Sequence, residues 1–189
     1  MNTSLALQAN FQITQKELIL HYKVTNPTSR DAYLLNRLYR YAPKWEMTPN
    51  VIYVRFDLRA RTVWLYKKLA DLPRGVRVSE PVAPFVTPLR GGSTFQEDVH
   101  IALPVKEWEE YAVGPERDKD LKANVFNQVY FTLGYYWRPE GTIEETTNVE
   151  GTNIVLPRTP PGATLEFGLL QSDVVKMDIP VLTFDSAHK

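Results

Sequence analysis

Three histidines, His21, His100 and His188, are the residues best suited to acid–base or metal chemistry in this chain. None of them has a carboxylate or a second histidine at the spacing of a metal site. His21 and His100 fall on the polar positions of alternating segments, and no Gly-x-Ser-x-Gly elbow supplies a serine nucleophile. Cysteine is absent, so no thiolate is available. We therefore expect no enzymatic role, no metal and no organic cofactor.

Acidic residues are the second group of candidates. Two clusters lie close together, Glu107, Glu109 and Glu110 and then Glu116, Asp118 and Asp120. Alternating acids on a loop can ligate Ca²⁺, but Arg117 and Lys119 separate the second set and the pattern of a calcium-binding loop is incomplete. Glu144 and Glu145 are adjacent on a predicted strand, so they point to opposite faces and cannot pair as glycosidase acid and base. A third alternative for the function is an enzyme with a carboxylate site, which would need two acids that converge in a cleft.

Aromatic residues and arginines are the most distinctive feature of the chain. Tyr, Trp and Arg anchor protein interfaces, and aromatic rows on a sheet can also stack on sugar rings. Side chains alternate between the two faces of a strand, so even-numbered Tyr130 and Tyr136 should lie on the face opposite odd-numbered Phe131, Tyr135 and Trp137. We predict that a binding surface includes Tyr39, Arg40, Tyr41, Trp45, Trp64, Tyr130, Tyr136 and Arg138.

Apolar and polar residues alternate along much of the chain, which predicts that β-strands position these side chains. The pattern indicates a hairpin formed by residues 5–13 and 18–24, and a second hairpin formed by 52–58 and 63–66. It favours a strand over a short amphipathic helix at 33–41. The four prolines between 73 and 88 predict an edge or surface segment there, because proline cannot donate to a ladder.

The longest aromatic alternation runs from Val129 to Trp137 and predicts a core strand. A single buried face requires its alternate residues to pack against those of the early strand. The predicted contact joins Phe131, Leu133, Tyr135 and Trp137 to Leu20, Tyr22 and Val24. The helical spacing of Val105, Trp108 and Tyr111 allows at most one short helix, near residues 105–111.

Short strands separated by Pro, Gly and Asn turns are typical of a β-sandwich. We expect one all-β domain over residues 1–189, an antiparallel two-sheet sandwich with a flexible tail at about 186–189. The segment from Leu18 to Asn26, ending in Val-Thr-Asn-Pro-Thr, resembles the second strand of many immunoglobulin-like domains. So does the later segment 92–104, with its Gly, its Glu and its alternating Val, Ile and Leu. The resemblance implies an immunoglobulin-like or related Greek-key fold and carries no functional residues with it.

Hydrophobic residues make up 43% of the chain and charged residues 23%, which excludes a largely disordered protein. No signal peptide and no segment long enough to cross a bilayer is recognisable. We therefore expect no membrane insertion and a cytoplasmic protein, or a periplasmic or secreted one if a signal peptide has been removed.

Charge is unevenly distributed along the chain. Residues 1–90 contain 14 Lys and Arg against 6 Asp and Glu, whereas residues 91–189 contain 8 against 16. The halves therefore carry +8 and −8 within a net charge of +0. This split predicts either a dipolar surface that attracts a charged partner or local neutralisation between interleaved strands. It disfavours nucleic acid as a partner.

These features favour a non-enzymatic interaction or structural module that binds another protein or itself through an aromatic, arginine-bearing sheet face. If oppositely charged halves drive self-association, added salt should weaken it. A carbohydrate-binding module is the alternative, with exposed Trp and Tyr rings as stacking platforms for sugars.

Overall fold

The computed structural model describes residues 4–41, 44–72, 82–111 and 121–184, with the backbone alone for Tyr41 and Phe184. Strands make up 62% of these residues and none is helical, so the predicted all-β class is confirmed. Within these ranges no helix long and apolar enough to cross a membrane is present. The predicted flexible tail lies outside the described residues.

Fifteen strands are present in the described ranges. In chain order they are β1 Ala6–Ile13, β2 Glu17–Thr25, β3 Ala32–Arg37, β4 Arg40–Tyr41, β5 Trp45–Glu46, β6 Tyr53–Asp57, β7 Thr62–Lys67, β8 Phe85–Leu89, β9 Thr94–Ala102, β10 Val105–Lys106, β11 Leu121–Trp137, β12 Ile143–Val149, β13 Thr152–Arg158, β14 Phe167–Gln171 and β15 Val175–Phe184.

A three-stranded antiparallel sheet has the order β1-β2-β9. The Thr14 hydroxyl accepts the backbone N–H of Glu17 at 3.0 Å and closes the turn between β1 and β2. Alternate residues of β2 are buried while those between them are more exposed. The first predicted hairpin is therefore confirmed.

The larger, ten-stranded sheet is organised around β11. Along one side of β11 lie β15 and then β14, both antiparallel to it. Along the other side lie β7, which is parallel to β11, and then β3, which is antiparallel. On this second side the strand paired with β11 changes from β7 to β3 near Gly134. A Cβ added at Gly134 would come within 2.9 Å of the Lys68 Cβ. The sheet continues from β3 through β8 and β13 to β12, while β6 extends it beyond β7.

Two strand pairs in this sheet, β7 with β11 and β10 with β15, are parallel, so the predicted wholly antiparallel arrangement is wrong. A parallel pair needs a long crossover connection, and residues 68–120 provide one between β7 and β11. Period-two alternation is the same in parallel and antiparallel strands. The sequence pattern therefore predicts the strands without predicting their relative direction.

The main core lies between the three-stranded sheet and one face of the large sheet. Phe131, Leu133 and Trp137 pack in one cluster with Leu20, Tyr22 and Val24, and Tyr135 is partly buried against it. The Tyr22 and Phe131 rings are 4.8 Å apart between centroids. The predicted packing of β11 against β2 is confirmed.

Residues 105–111, where the sequence allowed at most one short helix, form none. Val105 and Lys106 pair with β15, and Trp108 exchanges backbone hydrogen bonds with Val54 at 2.8 and 3.0 Å. Val105 belongs to the main core, whereas Trp108 packs against Tyr53. The helical spacing thus reflects two separate burial sites on an extended segment rather than one helix face.

The proline-rich segment also departs from expectation, although its residues 73–81 lie outside the described ranges. Phe85–Leu89 forms β8, which lies between β3 and β13 rather than at an edge. Its pairing with β13 involves only Val86 and Val155. Pro88 is tolerated because it lies outside that pairing.

The interleaving of early and late strands brings opposite charges together. Ion pairs that join the basic first half to the acidic second half are Arg30–Glu166, Arg37–Glu97, Lys67–Glu97, Arg55–Glu109 and Arg90–Glu144. Local neutralisation therefore accounts for much of the uneven distribution seen in the sequence.

Candidate functional site

The face of the large sheet that points away from the main core is called the outer face here. On β7 and β11 it consists of alternate residues, Trp64, Tyr66, Tyr130, Thr132 and Tyr136, whose neighbours along each strand enter the main core. Because β7 and β11 are parallel, Trp64 lies directly opposite Tyr130. The parallel register thus brings together two of the predicted binding residues that are 66 positions apart in sequence.

Aromatic rings form a continuous row across this face. The Trp64 and Tyr130 rings are 6.0 Å apart and nearly parallel, at 13°. Trp64 also contacts Tyr66 at 4.5 Å, and its indole N–H donates to the Thr132 hydroxyl at 3.0 Å. Tyr53 continues the row from Tyr66. Packing and this hydrogen bond hold the Trp64 ring in place, so little rotamer entropy is left to lose on binding.

Trp64 and Tyr130 line an open groove of about 700 Å³. Leu58 and Val174 also line it, and 52% and 51% of their surfaces are exposed. Polar groups at the groove come from Arg55, Asp57, Arg59 and Gln128. Burial raises the pKa of Tyr130, and nearby Asp57 adds to the rise, so its hydroxyl is a neutral hydrogen-bonding group near pH 7.

Charged side chains lie beside the part of the row formed by Trp64 and Tyr66. Arg55 lies 3.3 Å from Glu109 and 3.7 Å from Asp71, while the Lys68 ammonium is 2.7 Å from Asp71. The same ammonium lies over the Trp64 ring, 5.6 Å from its centroid. Charges of both signs are therefore paired along one side of the aromatic row.

Tyr39, Arg40 and Trp45 lie at the far end of this row. Tyr39 contacts the Trp45 ring at 5.3 Å, and the Arg40 guanidinium is 5.8 Å from the centroid of Trp108. Trp108 in turn packs against Tyr53, which links this group to the rest of the row. Trp45 is 50% exposed. Tyr41, also a predicted binding residue, is described by its backbone alone, so its side chain falls outside the described atoms.

Tyr136 and Arg138 do not join the aromatic row. Tyr136 is only 8% exposed, because Tyr33, Leu35 and Val86 cover it, and burial raises its pKa to about 12. The guanidinium of Arg138 is 3.1 Å from an Asp31 carboxylate oxygen. Parity correctly placed Tyr136 opposite the main core, but it could not reveal the second, smaller core that buries this ring.

A buried ionic cluster was not predicted. The Lys67 ammonium lies 2.6 Å from Glu97, and the Tyr22 hydroxyl donates to the same carboxylate oxygen at 2.6 Å. Burial lowers the pKa of Lys67, although nearby Glu97 acts in the opposite direction. Burial raises the pKa of Tyr22, and the negative charge of Glu97 raises it further. The one signal of this cluster in the sequence was Glu97, an acidic residue at a position of its strand where the alternation is otherwise apolar. These groups are closed off from solvent and connect β7 of the large sheet with β2 and β9 of the three-stranded sheet.

The histidines have partners that local spacing did not show. His21 lies 2.7 Å from Asp98 and His100 lies 3.0 Å from Glu17, across neighbouring strands of the three-stranded sheet. Both pairs are partly exposed, as expected for surface residues. His188 lies outside the described residues. No group of three or more metal-ligating side chains occurs in the ranges searched.

The acidic candidates do not converge. Glu144 contacts Arg90, whereas Glu145 lies 2.8 Å from Arg158, so the two carboxylates have separate cationic partners. Glu107 accepts the backbone N–H of Phe56 at 2.8 Å. The second predicted cluster, residues 116–120, falls outside the described ranges.

No protein-family model matches the chain, and comparisons with the curated proteins and with the solved structures also give no match. The case for a function therefore depends on the geometry of the chain itself.

Proposed function

We propose that the chain is a non-enzymatic β-sandwich module that binds a protein partner on the outer face of its large sheet. In this arrangement the three-stranded sheet covers the opposite face, with which it shares the main core. Smaller buried clusters also cover the outer face at Tyr66 and at Tyr136. The part of the outer face at Trp64 and Tyr130, which lines the open groove, is then available for recognition. The mixed strand directions separate this sandwich from the wholly antiparallel sheets of the immunoglobulin fold.

The groove at Trp64 and Tyr130 is the observation that carries this proposal. A fixed aromatic pair forms part of its lining, and half-exposed Leu58 and Val174 offer apolar surface beside it. Protein interfaces typically combine such an aromatic and apolar centre with a polar rim. Arg55, Asp57 and Arg59 provide that rim.

The arrangement of Trp64 favours a protein partner over a sugar. Its ring already contacts Tyr66 and Tyr130, and an ammonium group lies over it. A carbohydrate platform needs a ring face open to the ligand. The carbohydrate alternative is supported only at Tyr130, where Asp57 and Gln128 line the same groove and offer hydrogen bonds to sugar hydroxyls.

The experiment compares proteins from a host extract retained by the immobilised chain and by its Leu58→Asp and Tyr130→Ala variants. Ile143→Asp is the matched control, because Ile143 is 66% exposed on β12, outside the groove. We expect a specific protein to bind the parent and the control and to be lost from both groove variants.

A partner retained equally by all four chains would overturn the proposed groove. Soluble and insoluble polysaccharides form a second arm of the experiment. Retention on a polysaccharide that depends on Tyr130 would instead establish the carbohydrate alternative.

A further inference from the structure

Strand β14 is an edge strand with an apolar exposed side. In the described part of the chain it hydrogen-bonds only to β11. Phe167 is 54% exposed and Leu169 is 64% exposed. Leu170, the next residue after Leu169, is buried in the main core. No charged residue and no proline occurs within β14. Two of the usual protections of an edge strand against pairing, charged side chains and proline, are therefore missing from β14.

The hydrogen bonds at its two ends show which backbone groups of β14 point away from β11. Ser172 donates to the Phe131 carbonyl at 2.9 Å, and Trp137 donates to the Glu166 carbonyl at 3.1 Å. In an antiparallel ladder, residues that exchange hydrogen bonds alternate with residues that do not. In the register of β14 with β11, Gly168 and Leu170 are of the first kind. Phe167, Leu169 and Gln171 therefore direct their backbone N–H and C=O groups away from β11.

We infer that β14 pairs antiparallel with β14 of a second copy of this chain, about a two-fold axis at Leu169. Leu169 then faces Leu169 of the partner subunit, and Phe167 faces the partner's Gln171. Each of these pairs consists of residues with outward backbone groups, so both hydrogen bonds of every pair can form. The large sheet continues through the interface from one copy into the other.

Charge and symmetry favour a copy of the same chain as the occupant. β14 is uncharged and largely apolar, so a second copy of β14 matches it in charge and in apolar character. The adjacent carboxylate of Glu166 is held by Arg30 of its own chain at 3.1 Å, which removes one source of repulsion between copies. A two-fold interface uses the same patch twice, so self-complementarity is the property it needs.

Sedimentation of the full chain and its variants tests the pairing. We expect the parent to form a dimer whose stability is insensitive to salt, because no charge lies within β14. Leu169→Lys and Leu169→Glu should each weaken the dimer on the order of tenfold or more, since like charges then meet at the two-fold axis. An equimolar mixture of the two variants should recover the dimer through one Lys–Glu pair.

Leu58→Lys is the control, because Leu58 is 52% exposed but belongs to the groove on the outer face. It should leave the dimer intact, which separates this inference from the proposed groove. Circular dichroism melting curves establish that each variant is folded. In the parent, raising the protein concentration should slow amide exchange at Phe167, Leu169 and Gln171.

Three results would overturn the inference: a parent that stays monomeric, a dimer unaffected by both Leu169 variants, or a mixture that fails to associate. A monomeric parent would leave the β14 edge for a strand of a different protein. Loss of the dimer in Leu58→Lys alone would move the interface to the groove.

Discussion

Lys67 and Glu97 form an ion pair between the two main sheets, with their side-chain N and O atoms 2.6 Å apart and only 0% and 6% of the side chains exposed. We predict that Lys67→Met destabilises the protein by about 3–5 kcal/mol, because it removes the cation in direct contact with the buried Glu97 carboxylate. The remaining cation, Arg37, lies 3.9 Å from Glu97. Replacing both partners, as Lys67→Met with Glu97→Leu, should recover much of the loss. Denaturant unfolding of the single and double variants measures both effects.

The control for this pair is Lys23→Met, since Lys23 is an exposed residue of β2. Its effect should be about 0.5 kcal/mol or less. If Lys67→Met is equally mild, the ion pair contributes nothing to stability that an apolar side chain cannot supply.

Trp137 should be among the most sensitive positions of the core. It is 9% exposed, and the Arg30 guanidinium lies 4.7 Å from the centroid of its ring. We expect Trp137→Ala to cost about 3–5 kcal/mol, because it removes a large buried side chain and leaves a cavity. Trp45→Ala, at a residue that is 50% exposed, should cost clearly less in the same unfolding experiment. Equal effects would contradict the burial of Trp137.

Gly168 is required by the ring of Tyr135, which lies directly across from it on β11. A Cβ at this position would overlap the end of the Tyr135 side chain. Gly168→Ala should therefore destabilise the fold by about 1–3 kcal/mol through overpacking. In a Tyr135→Leu background the same change should be much milder. A double-mutant cycle that shows no coupling would contradict this close contact.

Acid should destabilise the protein through Glu144 and Asp31. The hydrogen bond from Arg90 lowers the pKa of Glu144 below its usual 4.5. Burial raises the pKa of Asp31, but hydrogen bonds from Gly91, Arg90 and Arg138 outweigh it and leave the pKa below 3.8. The unfolded chain then binds more protons, so this contribution is present above those usual values and is lost as pH falls through the folded ones.

Unfolding measurements of the parent and of Arg90→Gln at pH 7 and near pH 3 check the assignment. We expect Arg90→Gln to lower stability at pH 7 and to reduce the loss on acidification. Glu107, whose pKa is raised chiefly by burial, acts in the opposite direction in both proteins and cancels in the comparison. Identical acid dependence in the two proteins would contradict a role for Arg90.

The sequence predicted most strands, because alternation depends only on which side of a strand is buried. Residues 18–24 and 131–137 follow that pattern and meet in the main core. Strand direction could not be predicted, so the pairing of Trp64 with Tyr130 was missed even though both residues were candidates. Burial by a second core was equally invisible, which is why Tyr136 was expected at the surface. The partners of Lys67 and His21 lie on strands distant in sequence.

The position of β11 has a consequence for how the protein opens. Its hydrogen bonds reach β3, β7, β14 and β15, so strands from early, middle and late parts of the chain all depend on it. Loosening β11 exposes the unpaired edges of all four neighbours at once. These strands therefore belong to one cooperative unit, in which slow amide exchange should report a single, shared opening free energy.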